Sequence, residues 1–176
     1  MIVNGPGISF TEPDIGSEFV PPIPENPRPK IVALCEHCTN RLLGRKELKP
    51  FEYWAFAEVT TDEMADVLLK MKMRRPYTLA DAVRATGMEA EPLEKLLDEM
   101  SYIGLLEYNW ENPTRTKQWV LPMLVPGSAE FLNMRQSQID EHPAVAKFFE
   151  QASKGALARA TPMVPPGGAG IGMHVI

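Results

Sequence analysis

Cysteine is scarce. Cys35 and Cys38 are the two in 176 residues, too few for the disulfide framework of a small secreted domain. Long apolar runs are missing too. The longest are a handful of residues, well short of the roughly 20 that a membrane helix needs. The first residues, MIVNGPGISFTEPDIGSEF, have neither a positive head nor an apolar middle, so no secretory signal is expected and a cytoplasmic location is. Basic charge is in deficit, with a formal net charge of −5. That counts against a nucleic-acid partner, although a local basic face stays possible. Hydrolase elbows, zinc-hydrolase helices, phosphate loops and internal repeats are all absent, which removes the sequence support for a small enzyme.

Residues 60–120 are the most ordered in pattern. Thr60 followed by Glu63 has the spacing of a capping box, and Met64, Val67, Leu68 and Met71 recur at helical intervals until Pro76. Thr78 with Asp81 opens a second helix through Leu79, Ala82 and Val83, ending at Gly87. Pro92 suits a first helical turn. Leu93, Leu96, Leu97, Met100 and Ile103 then make the stripe of a third helix, closed by Gly104. LLEYNW and TKQWVLP read as two strands around the turn ENPTR. Three helices and a ribbon in this order predict a winged helix, a helix-turn-helix variant. The expected fold class is mainly α with a small β-ribbon, carrying an extended N-terminal arm and a C-terminal helical extension.

Four segments follow. Residues 1–34 hold Pro6, Pro13, Pro21, Pro22, Pro24, Pro27 and Pro29, which resist helix and central strand alike, so an extended arm is expected. Its Phe10, Ile15, Phe19, Val20 and Ile23 give it apolar surface to bury. Residues 35–59 contain CEHC, the basic Arg41, Arg45, Lys46 and Lys49, and an aromatic group of Phe51, Tyr53, Trp54 and Phe56. With Glu52 and Glu58 beside them, these aromatics suit packing better than base stacking. Residues 60–124 are the winged helix. Residues 125–176 are a helical extension and a Gly-rich tail. Ser128 could cap a short helix through Met134, and a second helix is expected over 140–153, with Pro143 in its first turn and Val145, Phe148, Phe149 and Ala152 on one face.

Four chemistries compete for Cys35 and Cys38. They could be two of the four thiolates of a tetrahedral zinc site. They could be a redox pair, its thiolate favoured at a helix N-terminus beside Arg41. They could be half of an iron–sulfur ligand set. They could simply be two structural thiols. His37 is poorly placed to share an ion with both, and His142 and His174 are distant in sequence. A zinc or iron–sulfur site would need ligands from another chain, or from a second copy in a homodimer.

The third helix sets the expectation about DNA. It carries Glu89, Glu91, Glu94, Asp98 and Glu99 against Lys95, a net of −4. An acidic recognition helix is repelled by the phosphate backbone, so a protein-docking or scaffolding role fits better than DNA reading. Lys70, Lys72, Arg74 and Arg75 gather near the end of the first helix, where they could meet an acidic protein or simply be solvated. In the tail, Gly168 and Gly170 fit the first two positions of a dinucleotide-binding G-x-G-x-x-G, but Met173 fills the third and two prolines precede it. No catalytic or cofactor-binding residue is assigned. The final MHVI reads as a strand just beginning, as in the front portion of a longer protein.

GLLEYNWENP, KQWVLPMLVPGSAEF, DEHPAVAKFFEQ and TPMVPPGGAGIGMHVI resemble the N-terminal region of large bacterial, mostly anaerobic, pyridine-nucleotide-disulfide oxidoreductases with 4Fe-4S ferredoxin segments. The resemblance covers roughly Asp62 to Ile176. It implies a non-catalytic module attached to, or derived from, an electron-transfer enzyme, with that enzyme's other domains or subunits as partners. In that family FAD and the 4Fe-4S clusters belong to segments that have no matching positions here. The alternative reading is a free-standing winged-helix transcriptional regulator, sensing metal or redox state through Cys35 and Cys38.

Overall fold

The computed structural model describes residues 21–40, 47–122 and 127–147. Phe148, Phe149, Ala152, His174, Arg41, Arg45, Lys46 and the Gly-rich tail lie outside them. Among the described residues the chain is mainly helical, with one small antiparallel sheet, and no helix is long and apolar enough to cross a membrane.

Pro29–Cys35 form helix α1, followed by a turn of π-helix over Glu36–Asn40. Of the extended arm expected over residues 1–34, residues 1–20, with Phe10, Ile15, Phe19 and Val20, lie outside those described, and residues 29–34 are helical. Proline is tolerated at a first helical position, where its missing N–H costs no bond. Ile31 and Leu34 of α1 are fully buried. Arg28, just before it, ties the segment down. Its Nη1 donates to Ala57 O (3.1 Å), its Nη2 to Thr60 O (2.9 Å) and its Nε to Asp62 Oδ1 (2.9 Å), while its backbone N–H donates to the Tyr53 hydroxyl (3.1 Å). Helix α2, Pro50–Ala57, was not expected; the aromatics Tyr53 and Phe56 are its buried face. The buried Glu52 carboxylate accepts from the Lys49 backbone N–H at 2.8 Å and closes its first turn.

Helix α3 is Asp62–Lys70. Its N-cap is Thr61, not the expected Thr60: Thr61 Oγ1 accepts from Met64 N at 3.1 Å. Thr60 instead points inward, and its buried hydroxyl has no hydrogen-bond partner. Strand β1 is Pro76–Tyr77, a pairing the sequence pattern did not reveal. Helix α4, Leu79–Thr86, has the expected Thr78–Asp81 capping box and ends at Gly87 with φ +75°. The hydrogen bonds from Thr78 hold the Asp81 carboxyl below its ordinary pKa. Helix α5, Ala90–Ile103, buries Leu93, Leu97 and Met100 and ends at Gly104 with φ +98°. Strands β2, Glu107–Asn109, and β3, Gln118–Val120, complete the sheet in the order β1-β3-β2. On the central strand, Trp119 lies opposite Tyr77 on one side and Tyr108 on the other.

Helix α6 is Ser128–Phe131, capped by Gly127 rather than Ser128; the Glu130 carboxylate accepts from Gly127 N at 2.6 Å. Helix α7 is Gln136–Glu141; Asp140 and Glu141 fall within the helix expected over 140–153, while residues 136–139 lie before it. His142 interrupts that expected helix, residues 143–147 are helical again, and residues 148–153 lie outside those described. The buried Gln138 amide donates to Ile103 O (2.9 Å) and Leu132 O (2.8 Å), bonding carbonyls at the ends of α5 and α6. This non-local polar pairing explains why α7 escaped the apolar periodicity.

Two predictions follow from the caps. Thr61→Ala is expected to cost about 1 kcal/mol, whereas Thr60→Val, which removes an unsatisfied buried hydroxyl, should leave stability unchanged or raise it by about 1 kcal/mol. Urea midpoints that fall for Thr60→Val and hold for Thr61→Ala would reverse the assignment. At the glycines, a Cβ on Gly104 would sit 2.5 Å from the Phe131 backbone, while one on Gly87 meets nothing within 4 Å. Gly87→Ala should therefore cost only the left-handed penalty of about 1–2 kcal/mol, and Gly104→Ala distinctly more. Equal losses in thermal midpoint would mean that α6 does not press on Gly104.

Candidate functional site

Three places were singled out by sequence or by geometry: the cysteine pair, the acidic helix α5, and a groove beside its C-terminal end.

Cys35 is the last residue of α1 and Cys38 lies in the π-helical turn. The pair therefore sits at a helix C-terminus, where the dipole disfavours a thiolate, not at the N-terminus that a redox pair would want. Both side chains are fully buried. Cys35 Sγ lies 3.5 Å from Glu52 O, as donor to that carbonyl. Burial pushes the Cys35 thiol well above its ordinary range, with Cys38 and Glu52 adding to the effect, and pushes Cys38 up to about 12. His37 is turned away to Met71, its Nε2 3.0 Å from the carbonyl oxygen. His142 sits beside Glu58, Nδ1 to Oε2 3.4 Å. Among the described residues no three His, Cys, Asp or Glu side chains gather as a metal site would require. Zinc or a cluster would need both thiols deprotonated and further ligands beyond the described residues.

The acidic residues of α5 divide into two sets. Glu94 and Asp98 face the sheet and hold Lys117, whose Nζ lies 3.0 and 2.7 Å from them. Burial lowers the Lys117 pKa, but the hydrogen bonds to Asp98 and Glu94 outweigh it and raise the pKa overall. The same ammonium lies over the rings of Trp119 (4.9 Å) and Tyr108 (5.5 Å). Asp98 also accepts from the Trp119 indole N–H at 3.2 Å. The second set, Glu89, Glu91 and Glu99, stays exposed, with Lys95 reaching Glu91 at 2.7 Å. On the basic side, Lys70, Lys72, Arg74 and Arg75 are exposed at the turn between α3 and β1. Lys70 Nζ donates to Thr86 O (3.0 Å), and Arg75 lies over the Tyr77 ring (5.4 Å).

The groove, of about 480 Å³, runs between the end of α5, the start of β2 and α6 with its following turn. Tyr102, Gly104, Leu106, Glu107, Tyr108, Phe131, Met134 and Arg135 line it. Tyr102 is 73% exposed and Met134 75%; Tyr108, at 44%, continues the surface to Trp110, at 49%. Tyr108 and Trp110 lie 5.9 Å apart between ring centroids. The large apolar residues of the ribbon divide here. Leu105 and Trp119 are buried within the chain, whereas Tyr108 and Trp110 stand in solvent. The Arg135 guanidinium stacks on the Tyr102 ring, 3.9 Å from its centroid, and Nη2 donates to Gln138 Oε1 at 3.2 Å. Arg135 and Met134 had no signal in the sequence. Tyr102 had a faint one, as a large aromatic off the apolar stripe of its own helix.

No family model, curated protein or solved structure matches the chain.

The raised thiols make a test in which the sign is fixed. Where the folded state keeps a proton that the unfolded chain has released, stability falls as pH rises. The contribution of Cys38 is expected to be intact below the ordinary thiol pKa of 9.0 and lost on the way to about 12, and that of Cys35 to decline in the same direction. A series of urea midpoints against pH should show that decline, and a Cys35→Ala/Cys38→Ala variant should flatten it. In parallel, maleimide should label the folded chain slowly at pH 8 and the denatured chain quickly. Rapid labelling of both thiols in the folded state would refute their enclosure.

Proposed function

We propose that residues 60–124 form a winged helix and that the protein is a cytoplasmic, non-catalytic docking module, attached to or derived from an iron–sulfur and flavin-dependent oxidoreductase. The order helix, strand, helix, helix, strand, strand supports the winged-helix reading, with β1 supplying the third strand beside the ribbon. The observation that carries the docking reading is the pairing of two surfaces. Where a DNA-reading winged helix needs cations, α5 exposes Glu89, Glu91 and Glu99. Beside its C-terminal end, large aromatics stand in solvent. Exposed aromatic area next to an acidic face suits a protein partner and repels phosphate. The enzyme context is supported by the similarity of residues 62–176 to the front region of those oxidoreductases. FAD and 4Fe-4S centres are then held by the enzyme's other segments, and those domains or subunits are the partners. The alternative of a regulator sensing metal or redox state through Cys35 and Cys38 is weakened by two thiols that are enclosed and held protonated.

Titration of labelled DNA duplexes tests the module. Binding is expected on the order of 10⁻⁵ M or weaker, without sequence preference and declining steeply with salt. Sequence-selective binding that survives physiological salt would overturn the reading. Co-purification with a flavin and iron–sulfur oxidoreductase of that family, expressed without its own front region, tests the partner. A stable stoichiometric complex is expected.

A further inference from the structure

Among the described residues, Arg28, Lys30, Lys49, Arg84, Lys95 and Lys117 each reach a carboxylate. Arg135 does not. Its Nη2 has the Gln138 amide oxygen and its face has the Tyr102 ring, but Nε and Nη1 are buried without any hydrogen-bond partner. Guanidinium is always charged and offers five N–H donors, so it cannot shed this deficit by losing a proton. A charged group left in this state inside a groove calls for an acceptor that arrives from elsewhere. Tyr102, stacked on the guanidinium face, is itself mostly in solvent, so a partner's access to the guanidinium would require that ring to move.

We propose that this groove is the contact site for an acidic, apolar peptide segment of a partner protein. A carboxylate of the segment meets Arg135 Nη1, and a backbone carbonyl next to it meets Nε. The two nitrogens lie on different edges of the guanidinium, so an extended chain serves both better than one carboxylate alone. Apolar side chains flanking the carboxylate cover Tyr102, Tyr108 and Met134. Charge selects the occupant's sign. One charge of each sign lines the groove, Arg135 and Glu107; the unsatisfied donors of Arg135 draw the carboxylate to its end, and Glu107 restricts it to that end. Mutual burial of arginine and tyrosine with a carboxylate is the make-up of an interface hot spot. The assignment rests on the docking reading above and names its surface.

The test is fluorescence anisotropy on the full chain with two labelled synthetic peptides. One carries a Glu-Asp core between leucine and phenylalanine; the other has lysines in place of the acids. The acidic peptide is expected to bind, the lysine peptide to bind at least tenfold more weakly. Arg135→Gln should weaken the acidic peptide at least tenfold while its thermal midpoint stays at or above that of the parent chain, since an unpaired buried charge has been removed. Should Arg135→Gln fail to fold, Tyr102→Ala at an exposed position gives the second reading, and it too should weaken binding several-fold. Equal affinity for both peptides, unchanged affinity in Tyr102→Ala and in a folded Arg135→Gln, or tighter binding of a single-stranded oligonucleotide than of the acidic peptide would overturn the proposal. No binding of the acidic peptide by the folded chain would overturn it as well. That result would leave the docking reading standing if the oxidoreductase complex still forms, so the two failures are separable.

Discussion

Trp119 is the residue on which the arrangement depends. It sits on the central strand, fully buried, with Tyr77 opposite on one side and Tyr108 on the other. An indole brings a large apolar area and one N–H that needs an acceptor when enclosed. Asp98 of α5 is that acceptor. The carboxylate then needs a countercharge, and Lys117, two residues before Trp119, supplies it while lying over the same ring. Helix and sheet are thus joined by a polar clasp with an aromatic centre. The clasp decides which face of α5 turns inward, and so which acids, Glu89, Glu91 and Glu99, are left for solvent.

The surface chemistry follows from that orientation. With Glu94 and Asp98 used inside, the helix end carries Tyr102 outward and Gly104 inward. Gly104 lets the Phe131 backbone approach closely, and Gln138 bonds to the carbonyls of Ile103 and Leu132 there. The same close approach brings Arg135 over Tyr102 and creates the groove. Elsewhere burial works against chemistry. The π-helical turn after α1 encloses Cys38 together with Cys35, and desolvation raises the pKa of both thiols, which disfavours a free, reactive thiolate.

Much of the central region was legible from residue order. Helices α3, α4 and α5 follow from apolar residues three and four apart, from Thr78 with Asp81, and from Gly87 and Gly104 in left-handed conformation. These are local signals, carried within one or two turns. Sequence also placed β2 and β3, whose aromatic and β-branched residues flank a turn of Asn112, Pro113 and Thr114. It correctly marked α5 as acidic, since charge needs no fold to be counted.

Other features depend on residues far apart in the chain. Thr60 and Thr61 are equivalent caps on paper; in the fold the Thr60 carbonyl accepts from Arg28, its side chain is buried, and Thr61 is the cap. Strand β1 is two residues long and exists because Val120 and Trp119 lie beside it. Helix α1 begins at a proline within a proline-rich stretch, and Arg28 secures it to Ala57, Thr60 and Asp62. The groove has walls from residues about thirty positions apart, and its unpaired guanidinium is invisible until those walls meet. Residue order sets propensity, caps and net charge, because these are summed over neighbours. Burial, the state of the thiols and the partnering of Arg135 are set by contacts across the fold, because desolvation and hydrogen bonding depend on what surrounds a group rather than on what precedes it.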